Sequence, residues 1–439
     1  MYWNQYNSKL IKVEDAVNFV KSNDHLVLAG GPIEPHGFIK YLSGIKEKVN
    51  NVKVSTLLSM FPHEVMTDVS YKGIFEFESL FHSGVQRMSN RLGLCSFIPT
   101  HLRNSAYGRL RSSGNPNVYV VTVSPMDKRG FFTTGPGTIY EQEMLSSADI
   151  VIVEVNPNFP RTFGDTLVHI SEVDYIYEYD RTVPVLPDAE ITPIDEMIGK
   201  YVSELIEDGS TIQLGIGGIP NASARELINK KDLGIHTEML NDAIVDLYES
   251  GAITGNKKTI FPKKIVTSFT MGTKKVYDFI DDNPLVLHYS SAYTNNPFII
   301  SQNYKMVSVN TTLQVDFTGQ CASESIVNEQ ISGTGGQVET AIGAQMSPGG
   351  KSIITLKSTA DIKKRDSNEK VTVSNIVPFL EKGTIVTLPR TDVDYVVTEY
   401  GIASLKGASV KDRAKMLINI SHPDFRQELT REAQKFGYI

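Results

Sequence analysis

Cysteine and tryptophan are almost missing from this chain: its 439 residues include two cysteines, Cys95 and Cys321, and one tryptophan. Two cysteines that far apart exclude a disulfide scaffold and a cysteine-rich metal site. No stretch reaches the ~18 consecutive apolar residues of a membrane-spanning helix. Positive charge is not in excess either. Lys plus Arg number 43 against 50 Asp plus Glu, a net charge of −7. That excludes a bulk basic footprint for nucleic acid and leaves room only for a local basic pocket. The nine histidines show neither H-x-x-x-H nor H-E-x-x-H spacing, so no metal site is expected. A G-x-S-x-G nucleophile elbow is also lacking. The opening residues lack the basic-then-apolar order of a secretory signal. The expectation is a soluble, reduced, cytoplasmic protein with no membrane or nucleic-acid partner.

What is present is ordinary globular composition, 41% hydrophobic and 21% charged. The length points to two or three domains. Segments 52–58, 117–125, 149–155, 210–216 and 383–389 are rich in Val, Ile and Thr and read as strands, most of them apolar throughout. Segments 13–22, 193–208 and 410–420 carry apolar residues at helical spacing. This alternation predicts an α/β fold with mainly parallel sheets. The window 181–194 holds three prolines and no periodicity, which marks a crossing between domains. On either side the chain runs helix, polar turn, apolar strand, Gly-rich turn, proline, helix. The expected organisation is therefore two similar α/β domains, 1–187 and 188–439.

The second half carries the chemistry. Gly215-Ile216-Gly217-Gly218-Ile219-Pro220 joins a strand to a helix. Such a turn brings backbone N–H groups to an anion or a developing oxyanion. Read as a dinucleotide fingerprint with Glu238 as the ribose acid, it fails at its third glycine, which is Pro220. Glu238 ends a short strand, where α/β sheets place ligands. It suits a base, a nucleophile or a metal ligand, or simply a solvated loop. His236 beside it hints only weakly at a metal. Residues 308–316 read as a buried strand broken by polar residues, in which Asn310 and Gln314 either donate to a substrate carbonyl or lock a loop. A second Gly-rich turn, 333–337, is not a phosphate-binding Walker loop, because no Lys-Ser/Thr follows. Glu399 is a second strand-end carboxylate. Lys357, Lys363, Lys364 and Arg365 form a basic cluster suited to phosphates or to an exposed loop.

Taken together, LGIGGIPNA, DLGIHTEMLNDAIVDLYESGAI, VNTTLQVDFTGQ, SGTGGQ and DYVVTEYGIASLKG resemble the acetyl-CoA hydrolase/transferase family of class I CoA-transferases. The resemblance extends to segments 123–131 and 164–174 and covers nearly the whole chain. It implies a fold of two similar α/β halves. It also implies a CoA-transferase acting between short-chain acyl-CoAs and free carboxylates, acetate with butyrate or 4-hydroxybutyrate. A hydrolase using the same glutamate is the alternative. By this resemblance Glu238 is the nucleophile. The turn Gly215, Ile216, Gly217, Gly218 and Ile219 lies against acyl-CoA, Gly335 and Gly336 lie beside the CoA, and Asn310 and Glu399 support the site. The resemblance implies no permanent cofactor, CoA or acyl-CoA as substrate, and a homodimer or higher oligomer. A buried Glu238 beside Glu399 would tend to bind a proton, so nearby donors are expected to hold it charged. Segments 55–71 and 87–110 depart from the 4-hydroxybutyrate pattern, which puts the preferred acid in doubt if the first half shapes the acyl site. His36, His63 and His82 line that region or serve as core or surface histidines.

Overall fold

The computed structural model describes residues 2–363 and 369–439. Its strands are short, apolar and buried on both faces, which is what parallel sheets covered by helices require. The first half builds β1 (His25–Leu28), β2 (Val52–Thr56), β3 (Phe75–Ser79), β4 (Cys95–Phe97), β5 (Val118–Val123), β6 (Ile150–Val155) and β7 (Tyr175–Glu178). They pair in the order β7-β6-β5-β1-β2-β3-β4, all parallel.

The second half builds β8 (Thr211–Leu214), β9 (Gly234–Leu240), β10 (Ile265–Thr270), β11 (Val286–His288), β12 (Met306–Thr311), β13 (Lys351–Thr355) and β14 (Tyr395–Thr398). These pair as β14-β13-β12-β8-β9-β10-β11, again all parallel. Seven strands in each half thus follow one topology, and the repeat legible in the sequence is a repeat of fold. Two edges differ. Gly401–Ser404 pairs antiparallel with β14, and Phe163–Gly164 of the first half pairs with β11. Each sheet has its own apolar core. Met239, Phe269 and Met271 of the second half pack into the first-half cluster around Tyr119, Val121 and Phe132, which ties the halves together. Among the described residues no helix is long and apolar enough to cross a membrane.

Three sequence expectations need correction. Segment 383–389 is not a strand. Ile385 and Val386 are exposed, and only Thr387 and Leu388 are buried, where their N–H groups bond the Cys321 carbonyl. Its β-branched residues signalled a strand, but no neighbouring strand runs along it. Segment 308–316 is two strands, β12 and Gln314–Asp316, which belong to different sheets. Segment 13–22 is helical only over Val13–Ala16, tightening to a 3-10 turn at Val17–Phe19.

Candidate active site

Parallel strands of one order leave a crevice where the connections change direction, here between β8 and β12. A cavity of about 270 Å³ opens there, at the carboxyl ends of β8, β9 and β12. The first sheet closes it with the loops that follow β1, β2 and β3. That wall is apolar: Leu57, Leu58, Phe81, Leu102 and Ile139, with Gly31. Met239, Phe269 and Met271 extend it from the second half.

Glu238 lies at the centre. It sits on β9, two residues before the strand ends, and Thr267 Oγ1 donates to its backbone carbonyl at 3.1 Å. Its side chain lines the cavity. Asn295 Nδ2 donates to Glu238 Oε2 at 2.7 Å. Burial pushes the carboxyl up from its ordinary 4.5 to about 7, against the pull of the Asn295 amide and the Gly336 N–H. The expected donors are therefore present, but desolvation outweighs them.

The second Gly-rich turn leads into α1 (Gln337–Met346), whose N-terminus faces this carboxylate and favours negative charge. Gly335 has φ +51, a region that favours glycine. Gly336 is required for another reason. A Cβ there would lie 2.1 Å from Glu238 Oε2 and 2.2 Å from Asn295 Nδ2. Asn310 also lines the cavity, its Nδ2 donating to Thr340 Oγ1 at 3.0 Å.

Of the first Gly-rich turn, Gly215 and Ile216 line the cavity. Gly217 does not; it lines an adjoining groove with Leu186, Pro187, Asp188 and Asn241, which shares Ile216 and Met271 with the cavity. Gly218 begins a helix and packs on Asp195, and Ile219 is buried in the core. Glu399 is not beside Glu238 and does not line the cavity. It accepts from Ser358 N–H at 3.0 Å and Ser358 Oγ at 2.5 Å. Gln314 sits on the separate small sheet.

His236 is buried within hydrogen-bond distance of the Thr294 carbonyl, 2.8 Å from Nε2, and so anchors the turn that presents Asn295. Its role is structural. The His36 and His63 rings pack at a tilt with their centroids 4.6 Å apart, and His82 packs edge-on against Phe97; none lines the cavity. Lys357 pairs with Asp195 at 3.1 Å and Lys363 is exposed on a hairpin. Lys364 and Arg365 lie outside the described residues.

Sequence reasoning missed two groups. Asn295 follows a one-turn helix, Ser291–Thr294, and sits in an Asn-Asn-Pro turn that gives no hint of its partner. Glu339, on the first turn of α1, is wholly buried and accepts from the Arg103 N–H and Arg103 Nη1, each at 3.1 Å. Arg103 comes from the first half. The only available signal for Glu339 was its place three residues beyond Gly336.

Models of the acetyl-CoA hydrolase/transferase N-terminal domain and C-terminal domain match residues 1–187 and 272–433. The chain is 41% identical to a succinyl-CoA:cyclohexane-1-carboxylate CoA transferase of Geobacter metallireducens, over 100% of this chain and 98% of that protein. It is also 41% identical to the 4-hydroxybutyrate coenzyme A transferase of Clostridium kluyveri, over 99% and 100%. The crystal structure of RipA from Yersinia pestis superposes with a TM-score of 0.92 at 34% identity, covering 100% of both chains.

Proposed function

The chain belongs to the acetyl-CoA hydrolase/transferase family, and from that premise we propose that it transfers CoA between a short-chain acyl-CoA and a free carboxylate, with Glu238 as the nucleophile. The observation that carries this reading is the placement of Glu238: a carboxylate on the floor of an apolar cavity, bonded by the Asn295 amide and facing the start of α1.

The residues suit each step. Glu238 attacks the thioester carbonyl, the carbon–sulfur bond breaks, and CoA thiolate leaves an acyl-glutamyl anhydride. The thiolate attacks the glutamyl carbonyl and expels the donor acid, leaving CoA on Glu238 as a thioester. The acceptor carboxylate attacks that thioester, again releasing thiolate. The thiolate then takes the new acyl group and frees Glu238. One difficult exchange becomes a series of easier ones with ping-pong kinetics. Each attack raises an oxyanion, for which the Gly-rich turns and the Asn310 amide supply donors. The apolar wall restricts water, which would otherwise hydrolyse the intermediates. The adjoining groove past Ile216 and Gly217 gives the long CoA arm a way out, so binding there can be used at the reacting end.

The first-half wall offers no hydrogen-bonding side chain. Thr311, Ser332 and Thr340 of the second half line the same cavity, so it suits acetate with either butyrate or 4-hydroxybutyrate. We place the domain division at 187–188, before the helix Pro193–Leu205 that opens the second half. The test is butyryl-CoA with and without acetate. Acetyl-CoA formed only when acetate is present supports the transferase. Free thiol at an acetate-independent rate, with no acetyl-CoA, identifies a hydrolase.

A further inference from the structure

The amide that bonds Glu238 is carried on a turn fastened at both ends. That turn is the one-turn helix Ser291–Thr294, with Asn295 directly after it. One end is held by β9. His236 and Glu238 are two residues apart on that strand and so share a face, and His236 Nε2 lies 2.8 Å from the Thr294 carbonyl. The other end is held by the first half. Ser291 is buried, with its Oγ 2.8 Å from the Leu102 carbonyl and 2.8 Å from the Ile139 carbonyl. Its N–H also donates to the Ile139 carbonyl, at 3.0 Å. Leu102 and Ile139 both belong to the apolar wall of the cavity.

One backbone bond joins Ser291 to the residue that matters. The Asn295 N–H donates to the Ser291 carbonyl at 3.0 Å. A continuous chain of hydrogen bonds therefore runs from the Leu102 and Ile139 carbonyls through Ser291 and Asn295 to Glu238 Oε2, the last link being 2.7 Å. The Ser291 hydroxyl is not needed to satisfy those carbonyls. Leu102 also accepts from the Ser105 N–H, and Ile139 from the Ser291 N–H. A hydroxyl has one proton and serves one of the two at a time. What it adds is position: it fixes where the turn sits against the wall. The same stretch of the first half makes a second tie, since Arg103 bonds Glu339 on α1 through its N–H and Nη1, each at 3.1 Å. Residues 102–105 thus grip the two elements that meet at the Glu238 carboxylate.

We propose that Ser291 is a positioning residue that ties the Asn295 amide to the acyl wall, so that the first half of the chain sets the aim of the donor on Glu238. The inference rests on the reading of Glu238 as nucleophile. Loss of the hydroxyl frees one end of the turn and lets the amide drift. The cavity wall and the groove for the CoA arm stay in place. The effect therefore falls on the reacting carboxylate and on kcat, and leaves substrate binding nearly as it was.

The experiment is a double-mutant cycle on transfer from butyryl-CoA to acetate, with the wild type, Ser291→Ala, Asn295→Ala and the double variant. Ser291→Ala should lower kcat about fivefold, the scale of a residue that acts through a contiguous network, with KM for butyryl-CoA within about twofold of wild type. In the Asn295→Ala background the same change should cost nothing further. The double variant then loses about tenfold, as Asn295→Ala alone does, where independent effects would multiply to about fiftyfold. A multiplicative double variant, or a loss confined to KM, overturns the proposal. Should Ser291→Ala fail to fold, Ser291→Cys fills the same space with only a weak donor, and the same cycle applies. A crystal structure of the Ser291 variant without substrate gives a readout that does not depend on turnover. Asn295 Nδ2 should stand beyond about 3.5 Å from Glu238 Oε2, and an amide still in its wild-type place refutes the tie. A wild type that transfers no CoA, with an amide that shifts in the variant, counts against the function and leaves the tie standing.

Discussion

Asn295 Nδ2 and Glu238 Oε2 lie 2.7 Å apart, the one side-chain hydrogen bond that the candidate nucleophile receives among the described residues. The amide favours the charged form of Glu238, opposing the burial that favours the neutral one. Asn295→Ala removes that donor and should move the acid limb of the pH profile upward by about one unit, with a loss of about tenfold at pH 7. Asn295→Asp adds a like charge and should move the limb further than Ala does. Profiles of butyryl-CoA:acetate exchange check the order wild type, Ala, Asp; Asp behaving like the wild type contradicts it.

Gly336 and Gly335 should respond differently to alanine. Gly336 has φ −97, which any residue adopts, so its intolerance is steric: the new Cβ meets Glu238 and Asn295. Gly336→Ala should lower activity by about 100-fold with little change in melting temperature. Gly335→Ala finds Glu238 Oε1 at 3.6 Å, ordinary contact, but must hold φ +51. Its cost should appear mainly in stability, about 1 kcal/mol. Melting curves and initial rates on the two variants separate these effects.

The acyl wall sets chain length. Leu102 is buried and lines the cavity next to Arg103. Leu102→Ala opens space there and costs about 2–5 kcal/mol of stability. The ratio of kcat/KM for hexanoyl-CoA over butyryl-CoA should rise about tenfold, the scale of a methylene or two in an apolar pocket. An unchanged ratio would place the acyl chain elsewhere.

Stability should peak near pH 6. Glu34, Glu141 and Glu238 are pushed up to about 7 and Glu339 to about 8 by burial. A raised carboxyl stabilises the fold below its ordinary value and loses that contribution as pH rises through its folded value. These four therefore weaken the protein on going to pH 8. His25 and His36 are held down at about 4, and His63, His236 and His288 at about 3, again by burial. A lowered histidine stabilises above its ordinary 6.5 and loses that as pH falls. Calorimetric melting temperatures from pH 4 to 9 should fall on both sides of the maximum; a monotonic rise to pH 9 contradicts this.

The fold was legible because its signals are local. Apolar β-branched runs separated by helical periods specify parallel sheets, and the duplicated order of turns specified the duplicated topology. The strand expected at 383–389 failed because propensity says nothing about whether a partner strand is alongside. At the site, Glu238, Asn310, Gly335 and Gly336 were legible as a strand-end carboxylate, a polar break in an apolar strand and a Gly-rich turn before a helix. Glu399 had the same local look as Glu238, yet its carboxylate is bonded by Ser358 and does not line the cavity. Asn295 and Glu339 were not legible, because their meaning comes from what the fold brings to them. For Asn295 that is a carboxylate on another strand, and for Glu339 an arginine from the other half of the chain.

The central claim is that CoA becomes bonded to Glu238. The direct test is intact-protein mass spectrometry after brief mixing with butyryl-CoA, followed by peptide mapping. The account predicts a mass gain of CoA minus water on the peptide that contains Glu238, discharged by acetate and absent from Glu238→Ala. Turnover by Glu238→Ala, or the same adduct mapped to another residue, would contradict it.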